Sequence, residues 1–101
     1  MNIGDRYFSD WESVANSGTK NLVPPDLSSS QTFRITDIYI EDGTTEYNLQ
    51  MTDGTTTDYI EKALTEGLTG FQYEVSKDNY LILENVSGVT ANFAFRGVVI
   101  R

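Results

Sequence analysis

The sequence predicts an all-β protein: a two-sheet antiparallel β-sandwich, jelly-roll-like, with about seven or eight strands. Three observations predict it. Segments rich in β-branched and aromatic residues follow one another from Thr32 to the end, turn residues separate them at close spacing, and several alternate apolar with polar residues. The strongest predicted strands are residues 32–40, 45–51, 55–64, 71–75, 80–86 and 89–101. The turns between them are Asp42-Gly43, Asp53-Gly54, residues 67–70, residues 77–79 and Ser87-Gly88.

The strand predicted at 32–40 changes the parity of its apolar residues between Ile35 and Ile38. Side chains alternate between the two faces of a strand, so a regular strand would place these two residues on opposite faces. A β-bulge near Thr36-Asp37 would return both to one face, because a bulge inserts one extra residue. Burial of both faces is the alternative.

Three other segments depart from simple alternation. Residues 80–83 have no polar face, which predicts the most buried strand of the domain. Residues 98–100 are apolar on both faces, which predicts that the end of the last strand is central in its sheet or covered by a partner. Residues 58–64 also satisfy helical spacing, and we predict a strand there.

Residues 1–31 are polar and rich in chain-breaking residues, and we expect an irregular N-terminal arm that precedes a β-sandwich domain at 32–101. Ser9 and Glu12 have the spacing of a capping box, which predicts one short helical turn over residues 10–15. Residues 19–23 are a possible edge strand, because the two prolines that follow end strand pairing.

Composition excludes several classes of chemistry. A chain of 101 residues is the size of one domain. It contains no cysteine and no histidine, which excludes disulfides, zinc sites of the usual ligands and nucleophiles that depend on histidine. We predict no catalytic residues, no metal site and no cofactor, and therefore a protein that is not an enzyme.

Charge limits the partners. Fifteen acidic residues against seven basic ones give a net charge of −8, which disfavours nucleic acid and anionic membranes as partners. An acidic chain with three lysines also fits a halophilic source, since salt screens the repulsion between carboxylates. Calcium is the one plausible ion, with candidate carboxylates at Asp37, Glu41 and Asp42 or at Asp53 and Asp58, although neither group matches a calcium-loop motif.

Four segments carry a resemblance to a known class of proteins: ITDIYI at 35–40, MTDGT at 51–55, LENVSG at 83–88 and RGVVI at 96–100. In this order they resemble the small jelly-roll-like β-sandwich proteins on virions of tailed phages and archaeal viruses, which serve in head decoration, turrets or tail attachment. The resemblance covers residues 32–101 and implies a structural protein of the virus particle, assembled in the host cytoplasm. Its implied partners are further copies of itself, as a homo-oligomer, and major capsid or tail proteins.

A carbohydrate-binding module for attachment to a host or cell surface is the alternative function, because aromatic side chains on β-sandwiches stack on sugars. A glycan is then a possible partner. For the assembly function we predict interface residues in the arm and in the terminal strand: Tyr7, Phe8, Trp11, Val98, Ile100 and Arg101.

Overall fold

The computed structural model describes residues 1–41 and 46–101, and these residues form strands and turns without a helix. The predicted two-sheet antiparallel β-sandwich is confirmed. The turn Asp42-Gly43 and the first residue of the strand predicted at 45–51 lie outside the described residues. The strands are β1 (Arg6–Phe8), β2 (Glu12–Val14), β3 (Thr19–Asn21), β4 (Phe33–Ile40), β5 (Tyr47–Thr52), β6 (Thr57–Leu64), β7 (Leu68–Val75), β8 (Tyr80–Asn85) and β9 (Ala91–Val99).

One sheet has five strands and the other has four. The five-stranded sheet has the order β1-β9-β4-β7, with β2 also paired to β9, and the four-stranded sheet has the order β3-β8-β5-β6. Strand β9 pairs with β4 on one side and with β1 and β2 on the other, so its apolar end is central in the sheet. No helix of the described residues is long and apolar enough to cross a membrane.

The β-bulge predicted in β4 is confirmed. The register of β4 against both β7 and β9 shifts between Ile35 and Asp37. Ile35 and Ile38 are therefore both fully buried, although their parity differs. The same shift places Tyr39 on the outward side, opposite Ala94 of β9.

The predicted helical turn over residues 10–15 is wrong, and residues 1–31 are not an irregular arm, because they contribute three strands to the two sheets. The Ser9 hydroxyl accepts the backbone N–H of Phe95 at 2.9 Å instead of capping a helix. Asp10 has a φ of 60°, which turns the chain between β1 and β2. The local capping signal therefore yields to pairing with β9. The edge strand expected at 19–23 corresponds to β3, at the edge of the four-stranded sheet.

The expectation that residues 80–83 form the most buried strand is also wrong, because β9 buries six of its nine residues and β8 three of its six. Leu81 and Leu83 are fully buried, whereas Tyr80 and Ile82 point outward. The core between the sheets is formed mainly by residues of the predicted strands, joined by three from the N-terminal segment: Val14, Leu22, Leu27, Phe33, Ile35, Ile38, Tyr47, Leu49, Val75, Leu81, Leu83, Ala91, Phe93, Phe95 and Val99.

Candidate interaction face

Three aromatic rings lie together on the outward side of the five-stranded sheet. The ring centroids of Phe8 and Trp11 are 5.9 Å and 6.3 Å from that of Tyr39. Phe8 and Trp11 remain 45% and 51% exposed, while the outward-facing Ala94 beside Tyr39 is completely buried. Clustered exposed aromatic side chains on a sheet surface are typical of protein interaction sites.

Two arginines extend this aromatic cluster along the sheet. Arg6 and Arg96 border a hollow of about 300 Å³ that is also lined by Thr36, Gly97 and Val98. Arg6 forms no ion pair with any residue that the structure describes, so its guanidinium is available to an anionic group. We call the surface formed by Arg6, Phe8, Trp11, Tyr39 and Arg96 the arginine–aromatic face.

A buried carboxylate holds Arg96 in place. Asp37 Oδ2 accepts hydrogen bonds from Arg96 Nε at 3.1 Å and from Thr36 Oγ1 at 2.7 Å, and it lies 3.0 Å from Arg96 Nη2. Burial by itself would raise the pKa of Asp37. The hydrogen bonds from Thr36 and Arg96, the charge of Arg96 and the amide of Gly70 together outweigh burial, and the pKa lies below its ordinary value of 3.8.

Replacing Asp37 with asparagine is expected to lower the free energy of unfolding by about 1 to 2 kcal/mol at neutral pH, because a charged hydrogen-bond acceptor is lost while Arg96 stays partly solvated. Since the pKa of Asp37 is lowered in the folded state, its stabilising effect is complete above pH 3.8 and is lost as the pH falls below that value. Urea unfolding of both proteins from neutral to strongly acidic pH measures the difference. The control is Asp78→Asn, which changes an exposed residue in a turn. A constant difference down to the lowest pH would contradict the assignment.

The four arginines are grouped on one side of the molecule. All four arginines belong to the five-stranded sheet or its end: Arg6 and Arg34 lie opposite Val98 on the outward side, and Arg101 pairs with Glu74. Two carboxylates, Asp37 and Glu74, accompany them through ion pairs. The rest of the chain contains the other thirteen acidic residues and the three lysines, and therefore a net charge of −10. Glu12 of β2 and Glu41, which lines a hollow with Trp11, are among these acidic residues, so the arginines are grouped on a sheet that also carries carboxylates.

The structure separates the six predicted interface residues. Phe8 and Trp11 belong to the arginine–aromatic face, and Val98 lines the hollow beside it. Tyr7 lies on the other side of the sheet and packs on Phe33 and Phe95 at centroid distances of 6.3 Å and 5.6 Å. Its burial, reinforced by nearby carboxylates, raises its pKa, so it contributes to the core.

The other two predicted interface residues lie at the end of β9. Ile100 is half-buried, and the Arg101 guanidinium contacts Glu74 Oε1 at 2.5 Å. Sequence reasoning missed Arg6, Tyr39 and Arg96. The parity change in β4 contained the signal for Tyr39, because the bulge turns that side chain outward.

The carboxylates considered for calcium accept hydrogen bonds from backbone amides, pair with an arginine or lie apart from one another. Asp53 Oδ1 accepts the amides of Thr55 and Thr56 at 2.8 Å and 2.7 Å, and these hydrogen bonds lower its pKa. Within residues 1–41 and 46–101, no three side chains of the metal-ligating types stand close enough together to hold an ion. Asp42 lies outside the described residues.

No family model matches the sequence, and no curated protein matches it. Among solved structures, the chain is similar to the Drosophila NLP core, a protein characterised for pentamer formation and histone binding. The two chains share 12% identity and a TM-score of 0.51, and the match covers 96% of this chain and 98% of the other. This likeness shows the fold.

The expectation of a structural role in a virus particle is wrong. A solved structure that shares the fold over nearly its whole length is that of a protein characterised for histone binding, and capsid or tail partners have no support. The carbohydrate-binding alternative gains nothing from the comparison. The pentamer of the neighbour fits the expected self-association.

Proposed function

We propose that this chain is a non-enzymatic binding protein that self-associates and presents an acidic surface to basic polypeptides. The observation that carries the proposal is the grouping of all four arginines on or beside one sheet, in a chain whose charged residues other than these arginines, Asp37 and Glu74 sum to −10. Such a protein offers a surface that contains arginines and, elsewhere, many exposed carboxylates, and these favour different partners.

The arginine–aromatic face supports self-association. Exposed Phe8 and Trp11, packed around Tyr39, are anchors of the kind that dominate protein interfaces. The similar NLP core assembles into pentamers and matches this chain from end to end, so the same sandwich is compatible with a closed oligomer. Burial of this face in an assembly leaves exposed carboxylates elsewhere on the chain, such as Asp26 and Asp78, open to solvent.

The acidic surface supports a basic partner. Asp26, Glu46, Asp53 and Asp78 are exposed and form no ion pair with described residues. Copies of the chain in one assembly would add their fields, which attracts lysine-rich and arginine-rich segments over roughly the Debye length of 10 Å. Histones, which the NLP core binds, have this chemistry. We therefore propose that basic proteins of this kind are its partners.

Titration with a core histone tests the partner. We expect saturable binding by calorimetry at about 50 mM salt and an affinity at least about tenfold weaker at about 500 mM salt, because exposed charges are screened. An acidic peptide of matched length is the control and should not bind. Equal binding of the two ligands, or the absence of histone binding at low salt, would contradict the proposal.

A further inference from the structure

We infer that self-association is head to tail: the arginine–aromatic face of one copy seats on β6 of a second copy. The inference rests on the proposed self-association and adds the second surface of the contact. We call the exposed carboxylates Asp58, Glu61 and Glu66 of β6 and the residues after it the acidic edge. They lie on the four-stranded sheet, whereas the arginine–aromatic face belongs to the five-stranded sheet.

Strand β6 is the most exposed long strand of the molecule. Six of its eight residues are exposed, and the other two, Ile60 and Leu64, are half-buried. Tyr59 is 47% exposed, and its hydroxyl lies 3.2 Å from Glu84 Oε1. Lys62, the one basic residue of the strand, is drawn onto the Tyr59 ring at 4.3 Å from its centroid. The acidic edge thus offers carboxylates together with an aromatic surface.

Side chains of β6, and not its backbone, are suited to this contact. The ladder between β5 and β6 is interrupted by two register shifts, between Tyr47 and Leu49 and between Leu49 and Gln50. Ala63, with a φ of 58°, bends the strand where the first shift occurs. Bulges and charges on an edge strand oppose its extension by a neighbouring strand. A partner therefore contacts the carboxylates and the Tyr59 ring, and does not extend the sheet.

The two surfaces are complementary in charge and chemistry. The hollow between Arg6 and Arg96 is large enough to receive one carboxylate side chain, and guanidinium groups bind carboxylates through paired hydrogen bonds. Phe8, which lies opposite Arg96 in the strand ladder, then meets Tyr59, and aromatic pairs add to the stability of an interface. Repetition of such a contact generates a closed ring or a filament.

A two-fold contact of the arginine–aromatic face with itself is disfavoured. It would place Arg6 and Arg96 of both copies in one interface, and like charges in an interface oppose association. Contact of the acidic edge with itself would likewise bring carboxylates together. Each surface therefore pairs best with the other, and every copy of the chain carries both.

Two variants that each disable one surface test the inference. Arg6→Glu/Trp11→Ser alters exposed residues of the arginine–aromatic face, and Asp58→Lys/Glu61→Lys alters exposed residues of the acidic edge. We expect each variant alone to sediment as a monomer and to retain the circular dichroism spectrum of the wild type. An equimolar mixture should form a dimer that does not grow further, because it contains one intact pair of surfaces. The charge-matched control Asp26→Lys/Asp78→Lys should assemble like the wild type.

The outcomes separate the two claims. If the wild type assembles but the mixture stays monomeric, the head-to-tail contact is wrong while the self-association stands. Assembly of either disabled variant to the size of the wild type would also overturn the inference. A wild type that remains monomeric at every concentration overturns both claims.

Discussion

Replacing Gly97 with alanine is expected to lower the free energy of unfolding by at least about 3 kcal/mol, a large part of the stability of a domain of this size. Gly97 lies in β9 where β1 and β4 flank it, opposite Tyr7 and Ile35. A Cβ atom there would collide with the backbone carbonyl of Arg34 and stand 2.6 Å from the Phe33 ring. The carbonyl belongs to the paired strand, so no side-chain rotation relieves the contact.

Urea unfolding followed by circular dichroism measures this effect, with Gly54→Ala as the matched control. Gly54 has a φ of +92° and open space around its Cα, so alanine there introduces backbone strain of about 1 kcal/mol without a collision. If the two variants unfold at the same urea concentration, the packing described around Gly97 is wrong.

Replacing Asn85 with alanine is expected to lower the free energy of unfolding by about 2 to 4 kcal/mol, because a fully buried amide at the centre of a hydrogen-bond network is lost. The Asn85 amide donates hydrogen bonds to the carbonyls of Val14 and Val89, both at 2.9 Å, and Oδ1 accepts the Ser87 amide at 3.0 Å. The side chain therefore fastens the N-terminal strand β2, which belongs to the other sheet, to the β8–β9 turn.

Asn21→Ala is the control for this substitution, because Asn21 is exposed on β3 and its replacement should change stability by less than about 0.5 kcal/mol. Hydrogen exchange gives a second readout: loss of Asn85 should speed the exchange of the backbone amides of β2 more than that of β4. Equal unfolding midpoints for the two asparagine variants would show that the network does not stabilise the fold.

Strand pairing could be predicted from sequence where the pattern was local. In β4, the parity change predicted either a bulge near Thr36-Asp37 or burial of both faces, and the register shift shows the bulge. In the N-terminal segment, Ser9 and Glu12 have the spacing of a capping box. The Ser9 hydroxyl instead accepts the amide of Phe95, which is 86 residues away. Three-residue strands have too few residues to show a period, so long-range pairing decided their structure.

The candidate face could be predicted only in part, because distance along the chain hid its charges. Phe8 and Trp11 stood out as aromatic residues in a polar segment. Arg6, Arg34 and Arg96 are far apart in the sequence, and pairing of β1, β9 and β4 brings them to one side of a sheet. The strand topology therefore determines where the arginines lie, whereas the composition gives only the net charge.

Sedimentation velocity of the wild type across protein concentration tests the central claim, self-association through the arginine–aromatic face, most directly. We expect one defined closed oligomer at micromolar concentration. Trp11→Ala should dissociate it at concentrations where the wild type stays assembled, while the exposed position of Trp11 leaves the thermal unfolding of the monomer nearly unchanged. A strict monomer at every concentration, or assembly of Trp11→Ala indistinguishable from that of the wild type, would contradict the account.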